Sequence, residues 1–150
     1  MQTITKVIEW DMGHRIPYHN SKCRNLHGHR YRLEVTASGE LCNKKDDSSE
    51  GMVFDFGDLK KIMMLKIHDV LDHSFMWYKE DKIYITIESI LKYHNQKVVI
   101  VDFIPTAENL CNWIYNEMIK YEIFNNKGLI LESIKLFETP NSWAELHRDE

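Results

Sequence analysis

The sequence predicts an α+β domain with its helices on one face of an antiparallel sheet. Apolar residues recur every second position at both ends of the chain, and helical periodicity occupies the middle. The order is therefore strands, then helices, then strands, which separates the two element types instead of alternating them. With 150 residues, 43% of them hydrophobic, the chain can bury one core without staples.

The first strand runs from Thr3 to His14, with Val7, Ile8, Trp10 and Met12 set among polar residues. Ile16 to Leu26 is a polar loop carrying a proline and two asparagines. Strand periodicity returns in HGHRYRLEVTASGEL. There His27, His29, Tyr31, Leu33 and Val35 share one face, while Gly28, Arg30, Arg32 and Glu34 share the other. The run NKKDDSSEG reads as a solvated turn and MVFDF as a short strand completing a hairpin.

From Asp58 the period changes. Leu59, Ile62, Met63, Ile67, Val70 and Leu71 line one side of a helix ending near Leu71, with Asp58 as its N-cap. Thr86 to Tyr93 reads as a short helix and Lys97 to Phe103 as a strand. A second main helix starts after Pro105, with Thr106 as N-cap and Leu110, Ile114 and Met118 behind it. Leu129 to Glu138 and Ser142 to Leu146 are the last two strands, joined by a turn at Thr139-Pro140-Asn141. The helices leave one sheet face and the edges to solvent or to further copies of the chain.

Nineteen basic against 23 acidic residues give a net charge of −4, with no basic block of the kind that binds nucleic acid. The longest clean apolar run, Val98 to Val101, is far too short to span a membrane. The N-terminus has no apolar stretch of the secretory kind. Three cysteines, Cys23, Cys42 and Cys111, form no CxxC pair and read as free thiols of a reducing, cytoplasmic compartment. There is no internal repeat, no linker and no Gly-rich dinucleotide loop.

Chemistry concentrates at His14 and His27-Gly28-His29. Histidines two apart on a strand point to the same side, and a third at the end of the preceding strand can meet them across the pair. Three imidazoles with an open fourth position are the donor set of a catalytic zinc site. Gly28 removes a side chain where the backbone can approach something closely. Cys23, four residues before His27, is either a thiol activated as base or nucleophile or a small buried hydrophobe; Cys42 and Cys111 fit the second description. Asp72-His73, following the helix directly, is either a carboxylate–imidazole proton relay or a dipole-favoured helix end. Glu138, closing a strand, either accepts two hydrogen bonds from a flat amidine-like group or is solvated.

Taken together, Cys23-Arg24-Asn25-Leu26-His27-Gly28-His29 resembles the CxxxHGH signature of the 6-pyruvoyl- and 6-carboxytetrahydropterin synthases. MGHRI, MVFDFGDLK, LDHSF, PTAEN and FETPNSWAEL follow in the family's order, so the resemblance spans essentially the whole chain. It implies a tunnelling fold: a four-stranded antiparallel sheet with two main helices on one face, assembling into an oligomeric β-barrel, a trimer or hexamer with sites between subunits. It implies Zn²⁺ held by His14, His27 and His29, with Cys23 as catalytic thiolate and Asp72 with His73 as proton relay. Glu138 would anchor the pterin, and Thr106 and Glu108 either line its pocket or cap a helix.

The implied substrate is 7,8-dihydroneopterin triphosphate. Three residues between Cys23 and His27 resemble the 6-carboxytetrahydropterin synthases of queuosine (7-deazaguanine) biosynthesis, which release acetaldehyde and triphosphate. The alternatives are a 6-pyruvoyl tetrahydropterin synthase and a non-catalytic, metal-braced pterin-binding module. The resemblance describes residues 1–150 as one domain. It departs over about Trp77 to Phe103, an expanded segment that reads as a surface elaboration leaving the chemistry alone.

Overall fold

A computed structural model describes residues 1–126 and 128–149. Its elements in chain order are β1 (Gln2–His14), β2 (His27–Gly39), α1 (Phe56–Met63), α2 (Asp69–Leu71), β3 (Ser74–Tyr78), α3 (Lys82–Tyr93), β4 (Val98–Val101), α4 (Ala107–Ile119), α5 (Glu122–Asn126), β5 (Ile130–Thr139) and β6 (Ser142–His147).

The strands form one sheet in the order β4-β3-β1-β2-β5-β6. β1, β2, β5 and β6 make the expected antiparallel meander, with a bulge between Thr36 and Ala37 where β2 meets β5. The sheet nevertheless has six strands and is mixed. β3 pairs parallel to β1 over Met12–His14, and β4 pairs parallel to β3. The four-stranded antiparallel expectation missed β3, because SFMWY has no period-2 alternation. Adjacent Met76 and Trp77 are both buried, so both faces of β3 are covered and the strand need not alternate. MVFDF is not a strand: residues 52–55 form an irregular connection into α1. Cys42 likewise lies beyond the end of β2, in a loop, and is only half-buried.

The helix begins earlier than the sequence suggested. Asp55, not Asp58, is the N-cap: its Oδ1 accepts the Gly57 and Asp58 amides at 2.7 and 3.1 Å. Asp58 lies in the first turn, where its charge favours the helix dipole. Leu59, Met63, Ile67 and Leu71 are all fully buried at a spacing of four residues. Four residues overshoot an α-helical turn by ~40°, and a π-helical turn at Met64–His68 joins α1 to α2 along that run. Its wider i→i+5 winding offsets the drift and keeps all four side chains on the sheet.

Alternation along β1 and β2 puts Ile8, Trp10 and Met12 beside Tyr31, Leu33 and Val35 on the face under the helices. Trp10 stacks on Tyr31 at 5.6 Å. Leu110, Ile114 and Met118 of α4 close the core over β5. α3 attaches chiefly through Tyr84 and leaves Ile83, Ile85, Ile90 and Tyr93 exposed. No helix among the described residues is long and apolar enough to cross a membrane.

Candidate active site and metal centre

His14 and His27 are a cross-strand pair at the paired ends of β1 and β2, and His29 stands opposite Met12. All three therefore face the helix layer. Their ring centroids are 4.7, 5.1 and 5.0 Å apart, and one nitrogen from each lies within 4.8 Å of the others. Gly28, between two of them, lies opposite Gly13. A Cβ on Gly28 would meet the Met12 carbonyl oxygen at 3.0 Å, so the missing side chain lets the two strands close at the site.

Backbone carbonyls set the rings. His14 Nδ1 lies 2.7 Å from the Pro105 oxygen, and His27 Nδ1 lies 2.7 Å from the Asn25 oxygen. A carbonyl can only accept, so each Nδ1 carries the proton and each Nε2 keeps a free lone pair. The Nε2 atoms of His14 and His29 are buried with no hydrogen-bond partner. Orphaned buried nitrogens converging in this way fit a divalent metal ion, with the carbonyls as the outer partners that metal-binding imidazoles use.

Burial drives the His14 pKa down to about 4. The Pro105 carbonyl opposes the shift, and the neighbouring His27 and His29 reinforce it. His29 is lowered too, by burial and then by His27. Both are neutral at physiological pH, the state a metal requires.

Glu138 Oε1 approaches His29 Nε2 to 3.2 Å, without the alignment of a hydrogen bond. Burial raises the Glu138 carboxyl above its usual range, His27 opposes that shift, and Glu108 adds to it. Tyr31, beneath the histidines, has a buried hydroxyl without a partner. Two cavities meet at Gly28, His29 and Arg30: one of about 460 Å³ reaches Glu138 and Thr139, and another of about 490 Å³ reaches Asp11, His73 and Ser74.

The second cavity brings in the other carboxylate–imidazole pair. Asp72 Oδ2 lies 2.8 Å from His73 Nδ1, and its Oδ1 accepts the Asp11 amide at 3.1 Å. The His73 amide returns a bond to the Asp11 carbonyl at 2.8 Å. His73 has φ +58°, a left-handed conformation rarely adopted by a non-glycine residue. Partial burial would raise the Asp72 carboxyl, but the Asp11 and His73 hydrogen bonds and the charges of His73 and His68 outweigh it and hold the pKa low.

The remaining candidates are placed as follows. Cys23 is half-buried in a 3₁₀ turn, Lys22–Arg24, of the loop joining β1 to β2, and lies outside the histidine cluster. Thr106 caps α4, its hydroxyl accepting the Asn109 amide at 3.2 Å. Glu108 is exposed in the first turn of α4. The Pro105, Asn25 and Asp11 backbone groups escaped sequence reasoning because they carry no side-chain signature.

A family model described as 6-pyruvoyl tetrahydropterin synthase matches residues 3–149. The chain is 37% identical over 145 residues to a 6-carboxy-5,6,7,8-tetrahydropterin synthase of Haemophilus influenzae, covering 97% of this chain and 98% of that one. It is 40% identical over 143 residues to the enzyme of the same name from Rickettsia bellii, covering 95% and 97%. In fold it is similar to the 6-pyruvoyl tetrahydropterin synthase of Caenorhabditis elegans, with a TM-score of 0.68, 22% identity, and 99% and 96% of the two chains covered.

Proposed function

Since the chain belongs to the 6-pyruvoyl tetrahydropterin synthase family, we propose that it is a zinc-dependent 6-carboxytetrahydropterin synthase. It converts 7,8-dihydroneopterin triphosphate and one water to 6-carboxy-5,6,7,8-tetrahydropterin, acetaldehyde and triphosphate, in queuosine biosynthesis. The observation that carries this reading is the convergence at His29. His29 of the imidazole triad lines both a cavity ending at Glu138 and another ending at His73.

In this reading His14, His27 and His29 hold Zn²⁺. When bound, zinc supplies Lewis acidity that acidifies the hydroxyls of the substrate side chain and stabilises negative charge there. Glu138 accepts hydrogen bonds from the pterin 2-amino group and N3 and fixes the ring. Thr106 and Glu108 serve α4 first and contribute to the pocket wall. Cys23 removes and returns a proton on one side of the substrate side chain. His73, oriented by Asp72, does so on the other. Proton movement between side chain and ring is an internal redox shuffle, so the chain's own residues need neither nicotinamide nor flavin.

The reading takes residues 1–150 as one domain acting in the cytoplasm, assembled as a homo-oligomer. The assembly is supported by the open edges of the sheet. β3 covers β1 only over Met12–His14, which leaves the rest of that edge and the outer edge of β6 for other copies.

A product assay of the zinc-loaded protein with 7,8-dihydroneopterin triphosphate tests the proposal. Acetaldehyde together with a 6-carboxytetrahydropterin is the expected result. Triphosphate release with a 6-pyruvoyl product and no acetaldehyde would move the chain to the branch named in the family model. No turnover from metal-loaded protein would leave a metal-braced pterin-binding module.

A further inference from the structure

The loop bearing Cys23 leaves β1 at Arg15 and returns to β2 at His27, and one side chain inside the protein gathers it. Arg15 Nε donates to Asp81 Oδ2 at 2.7 Å, Nη1 to the Arg24 carbonyl at 2.9 Å, and Nη2 to the Pro17 carbonyl at 3.5 Å. The guanidinium thus touches the loop on both sides of Cys23. The loop closes on itself beside it, where the Ile16 amide donates to the Cys23 carbonyl at 2.9 Å. The Arg15 and Asp81 side chains are only 12% and 1% exposed, so solvent does not substitute for either partner.

Asp81 is itself held. Its Oδ1 caps α3 through the Ile83 amide at 2.9 Å, and its own amide donates to the Tyr78 carbonyl at 2.9 Å. One carboxylate oxygen anchors the helix of segment 77–103 and the other anchors the arginine. A planar guanidinium with donors in fixed directions, set against a rigid carboxylate, fixes orientation as well as distance. The segment that reads as a surface elaboration is therefore joined, through one buried charge pair, to the backbone carrying Cys23.

We propose that Arg15 and Asp81 are positioning residues that fix the Cys23 loop, making segment 77–103 a working part of the active site. The consequence for turnover rests on the reading of Cys23 as a proton-transfer group; the consequence for the loop does not. The test uses the full-length, metal-loaded protein and two variants. Asp81→Asn keeps an oxygen to cap α3 but removes the charge, and Arg15→Lys keeps the charge but removes the fork. Alkylation by iodoacetamide is followed residue by residue by mass spectrometry. Cys111 is the internal reference, because burial holds its thiol up to about 11.

In both variants Cys23 labels about tenfold faster, the factor expected when an opening equilibrium loses one charged hydrogen bond, while Cys111 stays unreactive. Metal content is unchanged, and kcat falls by about tenfold while KM holds within about twofold. Wild-type labelling of Cys23 in both folded variants overturns the proposal. So does parallel acceleration at Cys111, which would mark general loosening of the fold. Faster Cys23 labelling combined with a fully active Cys23→Ala protein supports the loop clamp and defeats the catalytic role of Cys23 instead.

Discussion

His14 and Pro105 stand 91 positions apart in sequence, yet the imidazole Nδ1 of one lies 2.7 Å from the carbonyl oxygen of the other. The contact protonates Nδ1 and leaves Nε2 as the only donor the ring can offer a metal. It also ties the end of β1 to the turn before α4, so the ring is aimed by both layers of the fold. The matching contact from His27 to Asn25 is local. The candidate metal centre is therefore carried by a pair of strands, with one of its histidines braced from the helix side.

Loss of one ligand should empty the site. His27→Ala leaves two imidazoles, too few for a three-histidine catalytic zinc site. Elemental analysis of the purified variant is expected to show loss of most of the metal carried by the wild type, with the fold retained.

The metal-free protein should weaken in acid over a defined window. An unfolded histidine titrates near 6.5, whereas burial holds His14 at about 4 in the folded state. Below pH 6.5 the unfolded chain takes up a proton that the folded chain refuses. Stability is thus fully present above 6.5 and is lost as pH falls toward about 4, at up to about 1.4 kcal/mol per pH unit for one proton. Urea unfolding of the metal-free protein across that window measures the slope, and His14→Phe should flatten it.

Much of this arrangement is legible in the sequence because it depends on side-chain period. The alternation in β2 puts His27 and His29 on the face of Tyr31 and Leu33, and Thr106 declares the start of α4 as its cap. What is illegible depends on the backbone or on tertiary neighbours. Asp55 and Asp58 are equally good caps by type, and only the extended backbone at Asp55 selects it. β3 hides because both its faces are covered and its run therefore lacks alternation. The Pro105 and Asn25 carbonyls are chemically the same as any others until the chain is folded.

A side chain at Gly28 should strain the strand pair. Its added Cβ would meet the Met12 carbonyl at 3.0 Å, a backbone atom held in the β1–β2 ladder. Gly28→Ala is expected to part the strands between two ligands, costing about 1–3 kcal/mol of stability. Competition with a chelator should show weakened metal retention. Unchanged retention would mean that the strands yield elsewhere.

Cys23→Ala should keep metal and fold while losing turnover by about 10²- to 10⁴-fold, the usual worth of a positioned proton-transfer group. Metal content and thermal midpoint are the controls, and full activity would remove Cys23 from the mechanism.

Asp72→Asn should act through His73. The carboxylate that holds the imidazole at 2.8 Å becomes a neutral amide, so the ring loses its orienting charge. A fall of about 10²-fold in kcat is expected, with little change in thermal midpoint because His73 is exposed. The pH–rate profile should change shape as well as height, which a purely structural effect would not produce.

The pairing of His14 with His27 carries a consequence for how such a protein can diversify. The connection from residue 15 to 26 departs and returns at two histidines locked in register. Residues 16–23 can therefore lengthen, shorten or change composition without moving the imidazoles, as long as the Asn25 carbonyl stays on His27. Reach and angle of a reactive side chain on that connection can drift through insertion and deletion while the metal geometry stays constant. A lineage built on these two strands can vary that side chain without rebuilding the histidine cluster.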